Sequence, residues 1–131
     1  MKERIFILLL TICLLQNTFA FAELSSIQTD DYFVIKEAHL LSDKVLTIYL
    51  QANSSVSYIG ISQCILQKKI DNTWNYKATL PLPTNYLSGP TSYSSIDDYS
   101  TYITESGTFR IKVVIYAYRY STTIYTNART F

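Results

Sequence analysis

Few side chains in this 131-residue sequence have the types and spacing that catalysis or metal binding needs. His39 is the single histidine, and no nucleophile or second ligand stands at the spacing that a catalytic triad or a zinc site requires. The acidic pairs Asp30-Asp31 and Asp97-Asp98 lack the Asp-x-Asp-x-Asn-Gly spacing of a calcium loop. We therefore expect no enzyme, no metal site and no cofactor, and we interpret these residues as solvated strand ends and turns.

Two cysteines are present, and neither has a setting typical of a reactive thiol. Cys13 lies in an apolar N-terminal run, and Cys64 lies in the middle of an apolar segment. A reactive exported thiol needs an accessible, electropositive environment. We therefore expect Cys64 to be a small core side chain, without an intramolecular disulfide.

Tyrosine and arginine side chains near the C-terminus are the best candidates for a binding function. Aromatic rings on an exposed sheet stack against sugar rings, and guanidinium groups bind the carboxylates or phosphates that are abundant in a cell wall. If the last strands pair, their outward face collects such side chains. The competing interpretation is that tyrosine simply suits a half-exposed strand. The candidate binding residues are Arg110, Lys112, Tyr116, Tyr118, Tyr120, Tyr125 and Arg129.

Most of these residues belong to residues 107–119, the longest segment in which apolar and polar or aromatic residues alternate. This period of two predicts the central strand of a sheet. Burying Arg110 and Lys112 without partners would cost several kcal/mol, so the opposite face must be the core. The inward residues are then Phe109, Ile111, Val113, Ile115 and Ala117.

The N-terminal segment has the pattern of a secretory signal peptide. Lys2 and Arg4 precede an apolar run over residues 5–15, and Ala20-Phe21-Ala22 provides small residues for cleavage after Ala22. The run is too short to span a bilayer as a helix, which takes about 20 residues. An uncleaved anchor is the alternative. We thus expect a secreted protein with a helical signal peptide at 1–22, a flexible arm at 23–31 and one domain at 32–131.

The charge of the expected mature chain is balanced, with nine basic and nine acidic side chains. A nucleic-acid-binding protein normally carries a basic excess, so we expect no nucleic-acid partner. The sequence leaves the oligomeric state open.

Short alternating segments separated by turns predict an all-β fold of about seven strands. Antiparallel sandwiches have this spacing, and the immunoglobulin-like arrangement is the commonest of them, although one sequence does not give the strand order. We expect an edge strand first, a bulge near Ser62-Gln63 and a long surface loop at 84–95. The predicted strands cover 32–39, 45–52, 58–70, 74–80, 96–104, 107–119 and 122–131, and the predicted core consists of Leu46, Ile48, Leu50, Cys64, Leu66, Trp74, Phe109, Ile111, Val113 and Ile115.

The chain resembles a family of small exported domains of unknown function from Gram-positive, spore-forming bacteria. Three short stretches carry the resemblance: Tyr-Phe-Val-Ile-Lys-Glu-Ala at 32–38, Leu-Gln-Lys at 66–68 followed by Trp74, and Gly-Thr-Phe-Arg-Ile-Lys at 107–112. The resemblance implies a secreted β-sandwich and supplies no activity.

Export, an all-β scaffold and the tyrosine-rich face favour a non-enzymatic binding or adhesion module. Its expected partner is cell-wall glycan, another extracellular polymer or another secreted protein. The alternative is a self-associating component of a spore or biofilm matrix, because residues 113–116 form an uncharged, β-prone window. A small secreted toxin or hydrolase is a third hypothesis, for which no nucleophile paired with a base is apparent.

Overall fold

The computed structural model describes residues 32–53, 56 and 58–131, which contain nine strands and no helix long and apolar enough to cross a membrane. The predicted signal peptide and arm lie outside these residues. The strands form two antiparallel sheets. The first sheet has the order β1-β2-β6-β5, with β1 Phe33–Leu40, β2 Val45–Ala52, β5 Tyr86–Ser88 and β6 Ser92–Asp98. The second has the order β4-β3-β7-β8, with β3 Ile59–Ile70, β4 Thr73–Leu80, β7 Thr108–Ala117 and β8 Tyr120–Tyr125, and β9 Arg129–Thr130 pairs with β7.

The strand predicted to be central, β7, lies between β3 and β8 in the second sheet. Its five inward residues are all fully buried, whereas Arg110, Lys112 and Tyr116 on the opposite face are only partly buried. The predicted orientation of this strand is therefore confirmed. The desolvation cost of its two cations is the physical reason for that orientation.

The first two strands also agree with the prediction. β1 is an edge strand that pairs with β2, its neighbour in sequence. Leu46, Ile48 and Leu50 of β2 alternate inward and are at most 2% exposed. They face the inward residues of the second sheet across one continuous core.

A bulge and a tight turn shape the long strand β3. The register with β7 shifts between Ile61 and Gln63, which confirms the predicted bulge and brings both Ile61 and Cys64 to the core. At the far end, Asp71 and Asn72 form a two-residue hairpin turn with φ of 49° and 65°. Aspartate and asparagine tolerate this left-handed conformation better than most residues do.

The predicted surface loop at 84–95 is wrong, because this segment contains β5 and the start of β6. The strand predicted at 96–104 also ends early, at Asp98. Polar composition suggested a loop, but β6 turns polar residues toward the core. Ser95 is buried and Ile96 is 53% exposed, the reverse of the usual pattern. The inward carboxylate of β6 is only partly satisfied: Asp97 Oδ1 accepts hydrogen bonds from the backbone N–H groups of Thr84 and Asn85 at 2.9 and 3.2 Å, whereas Asp97 Oδ2 is buried without a partner among the described residues.

Two further expectations are corrected. The last predicted strand, 122–131, is divided into β8 and β9, so that together with β5 the described residues contain nine strands instead of seven. Trp74, the one predicted core residue that is not buried, lies opposite Lys69 on the outer face of the second sheet. A register shift between Leu66 and Gln67 gives β4 a phase that the sequence pattern does not reveal.

Side chains from the segment between β8 and β9 tie the two sheets together. Leu40 N–H, at the end of β1, donates to Asn127 Oδ1 at 2.9 Å, and Asn127 Nδ2 donates back to Leu40 O at 3.1 Å. Arg129 Nε donates to the same carbonyl at 3.0 Å. The amide of Asn127 thus takes the place of a neighbouring strand for the backbone of Leu40.

Candidate functional site

The outer face of the second sheet carries the most distinctive group of side chains. We call it the cationic face and define it by Lys69, Trp74, Arg110, Lys112 and Tyr125. Four strands contribute to it, because Lys69 pairs with Trp74 across β3 and β4, and Lys112 pairs with Tyr125 across β7 and β8.

Arg110 lies at the centre of the cationic face, between two aromatic rings. Its guanidinium carbon is 4.4 Å from the ring centroid of Trp74 and 4.1 Å from that of Tyr125. Its Nε donates a hydrogen bond to Gln67 Oε1 at 2.8 Å. The rings hold the planar group by cation–π attraction, and the hydrogen bond fixes its rotation. Arg110 is thus oriented before any ligand arrives.

The charge of this face is positive and not neutralised by its neighbours. Strands β3, β4, β7 and β8 contain four lysines and one arginine but no aspartate or glutamate. Lys68 and Lys77 pair with Glu105 at 3.3 and 2.5 Å, and their hydrogen bonds, that from Lys77 most of all, hold the pKa of Glu105 below its usual value. Among the described residues no salt bridge reaches Lys69, Arg110 or Lys112.

Five of the seven sequence-predicted binding residues lie on the outer side of the second sheet or at its end. Arg110, Lys112 and Tyr125 belong to the cationic face. Tyr116 lies further along β7 on the same side, 5.9 Å from the ring of Tyr58 in an edge-to-face contact. Tyr118 occupies the β7–β8 turn with φ of 55° and is 43% exposed.

The other two predicted residues are not on the outward face, which corrects the sequence interpretation. Tyr120 pairs with Ala117, an inward residue, so its ring packs toward the core and stacks on Tyr32 at 5.0 Å. Arg129 pairs with inward Phe109 and reaches the first sheet. The two-residue turn between β7 and β8 sets the orientation of Tyr120. The chain leaves the sheet between β8 and β9, so a single alternation does not run through 122–131 to Arg129.

Sequence reasoning missed Lys69 and Trp74 as parts of the cationic face, and Gln67 as the hydrogen-bond partner of Arg110. Trp74 had been expected in the core because tryptophan is large and apolar. The available signal was the position of Trp74 directly after the Asp71-Asn72 turn, opposite a run of two lysines. A tight hairpin brings such residues side by side.

The other residues that could act as nucleophiles or metal ligands lie in environments that do not favour either role. Burial raises the pKa of Cys64 to about 12, and the charge of Asp97 adds to this effect. A thiol in that state is not a nucleophile at neutral pH. His39 is exposed, 3.9 Å from Glu37. Within 32–53, 56 and 58–131, no three His, Cys, Asp or Glu residues come together as metal ligands would, and Asp30-Asp31 lies outside those ranges.

Comparison with known proteins found no matching family model, no matching curated protein and no matching solved structure.

Proposed function

We propose that this protein is a secreted, non-enzymatic binding module that uses the cationic face to hold an anionic extracellular polymer, with cell-wall glycan as the expected class. The observation that carries the proposal is the fixed guanidinium of Arg110 between Trp74 and Tyr125, with Lys69 and Lys112 beside it. Aromatic rings such as those of Trp74 and Tyr125 can pack against sugar rings, and the cations can bind carboxylate or phosphate substituents. Both requirements of such a polymer are met on one sheet surface.

We further propose that the fold is an immunoglobulin-like sandwich. The order β1-β2-β6-β5 is that of strands A, B, E and D in such domains, and β4-β3-β7-β8 is that of C′, C, F and G. The cationic face then lies on the C′CFG sheet. Immunoglobulin-like domains serve many unrelated functions, so this topology supports the scaffold and not the ligand.

The test is retention of the protein on three immobilised polymers: teichoic-acid-bearing cell wall, purified peptidoglycan and chitin. We expect the strongest retention on the phosphate-rich wall, falling as salt rises because exposed charges are screened. Arg110→Ala should abolish it. Lys77→Ala is the matched control, since it removes the same charge from the same sheet at a residue already paired with Glu105.

Equal loss of retention in both variants would mean that net charge alone acts, and the proposal would fail. It would also fail if no polymer retains the parent protein, or if a single-stranded DNA oligonucleotide binds more tightly than the wall polymers do.

Self-association through residues 113–116 is not favoured as a second function. This window lies inside β7, and β3 and β8 pair with both of its edges. A segment whose backbone groups are already paired offers no edge to another chain.

A further inference from the structure

A pocket of about 420 Å³ lies between the start of β3 in the second sheet and β5 in the first sheet. We call it the tyrosine pocket, because four tyrosines dominate its lining. Tyr58 and Tyr116 are in edge-to-face contact on one side, and Tyr86 and Tyr93 stack at 5.5 Å on the other. The volume is within the range of about 300–1,000 Å³ that ligand sites occupy. The rest of the lining is Ile59, Gly60, Ile61, Leu82, Pro83 and Ser88.

One wall of the pocket is a strand edge without a neighbour. β4 pairs with β3 from Cys64 to Ile70 and then crosses toward the first sheet, so residues 59–61 of β3 have no strand beside them on that side among the described residues. Within the described part of the chain, β5 is likewise an edge strand, which pairs only with β6. The pocket therefore lies between two free strand edges.

The backbone groups of Ile59 face the free edge of β3. Tyr118 N–H donates to Tyr58 O at 2.9 Å, which makes Tyr58 and Tyr118 a hydrogen-bonded pair. Bonded and non-bonded pairs alternate along antiparallel strands, so Gly60 is again bonded to β7, and the N–H and C=O of Ile59 face away from it. Those groups face the place where a continuation of β4 would lie.

Among the residues that the structure describes, no charged side chain lines the pocket. Gly60 leaves room for the ring of Tyr116 to lie across β3, since a Cβ there would be 2.9 Å from the tyrosine hydroxyl and would displace the ring. A ligand with net charge would lose hydration without gaining a partner. Backbone donors and acceptors along one wall and neutral rings along the others fit an uncharged chain of peptide groups.

We propose that the tyrosine pocket binds an extended, uncharged peptide segment that adds a strand to the free edge of β3 over residues 59–61. Main-chain hydrogen bonds give such a segment its affinity, and the rings select small or apolar side chains. The free edge is three residues long, about 10 Å at 3.3 Å per residue, so the matching segment is short. The site is separate from the cationic face and does not depend on its ligand.

The experiment is an NMR titration of the protein with the blocked pentapeptide acetyl-Thr-Val-Thr-Val-Thr-amide. We expect shifts of the backbone amide signals of Ile59 and Ile61 together with slowed hydrogen exchange. The matched probe is the same peptide with every backbone nitrogen methylated, which keeps the side chains and removes the donors. It should bind at least tenfold more weakly.

A pair of variants tests the location. Ser88→Lys places a charge at the pocket wall and should weaken binding at least tenfold, whereas Leu87→Lys, one residue away and outside the lining, should leave it unchanged. Both positions are exposed, so neither variant disturbs the core. Arg110→Ala should also bind the peptide normally, which separates this proposal from the proposed function.

Equal binding of the two peptides would overturn strand addition. Binding of N,N′-diacetylchitobiose at Ile59 and Ile61 without binding of the peptide would assign the pocket to a sugar instead. No change in either amide signal at millimolar peptide would also refute the proposal.

Discussion

Replacing Asn127 by alanine tests what joins the two sheets. Leu40 is fully buried, and its N–H has Asn127 Oδ1 as its partner at 2.9 Å. A buried donor left without a partner costs about 1–3 kcal/mol, and a lost hydrogen bond about 0.5–1.5 kcal/mol. Losing the bond from Asn127 Nδ2 to Leu40 O costs less, because that carbonyl keeps its hydrogen bond from Arg129. Because Asn127 is itself exposed and the contact is only partly buried, water can replace part of it, and Asn127→Ala should lower the free energy of unfolding by about 1–3 kcal/mol.

Urea denaturation measures this difference directly, provided that the slope of the transition is the same in both proteins. Asn127→Asp keeps an acceptor for Leu40 N–H but turns its second oxygen toward Leu40 O, so it should recover only part of the stability that the alanine variant loses. Asn75→Ala is the control. It removes an exposed hydrogen bond to Thr73 O, two residues away, and should cost less than about 0.5 kcal/mol.

An Asn127→Ala protein as stable as the Asn75→Ala protein would refute this reasoning. It would mean that the bidentate contact with Leu40 contributes nothing beyond an ordinary surface hydrogen bond.

Two further outcomes follow from burial. Ile111→Ala should lower the free energy of unfolding by about 2–4 kcal/mol through lost contacts and a cavity, and should lower the melting temperature by at least about 8 °C. Val34→Ala, at a 65% exposed position, is the control. An Ile111→Ala protein that melts within a degree or two of the parent would contradict the inward orientation of this face of β7. Burial raises the pKa of Tyr93 to about 12 and that of Tyr99 still further, from 10.0 in the unfolded chain. Because the unfolded chain releases these protons first, the stability they contribute is present below pH 10 and falls as pH rises above it. Urea midpoints between pH 9 and 11 should show this decline, reduced in Tyr93→Phe, and a flat profile would exclude the effect.

The sequence alone determined the strands whose side chains alternate cleanly. β2 and β7 have apolar residues at a period of two, and burying Arg110 or Lys112 is costly enough to fix which face of β7 is inward. The bulge in β3 was also readable, since Ile61 and Cys64 reach one core from opposite parities only if an extra residue intervenes. In these elements local pattern and tertiary environment agree.

Tertiary structure decided the elements in which distant partners override the local pattern. β6 buries Ser95 and directs Asp97 inward, where backbone donors of Thr84 and Asn85 bind one carboxylate oxygen, and no alternation in the sequence reports such a partner. The cationic face depends on register: a shift in β3–β4 pairing turned Trp74 outward. The two-residue turn between β7 and β8 turned Tyr120 inward, and the departure of the chain after β8 did the same for Arg129. A one-residue change of register exchanges the two faces of a strand, so the members of the face follow from strand pairing, which a single sequence does not contain.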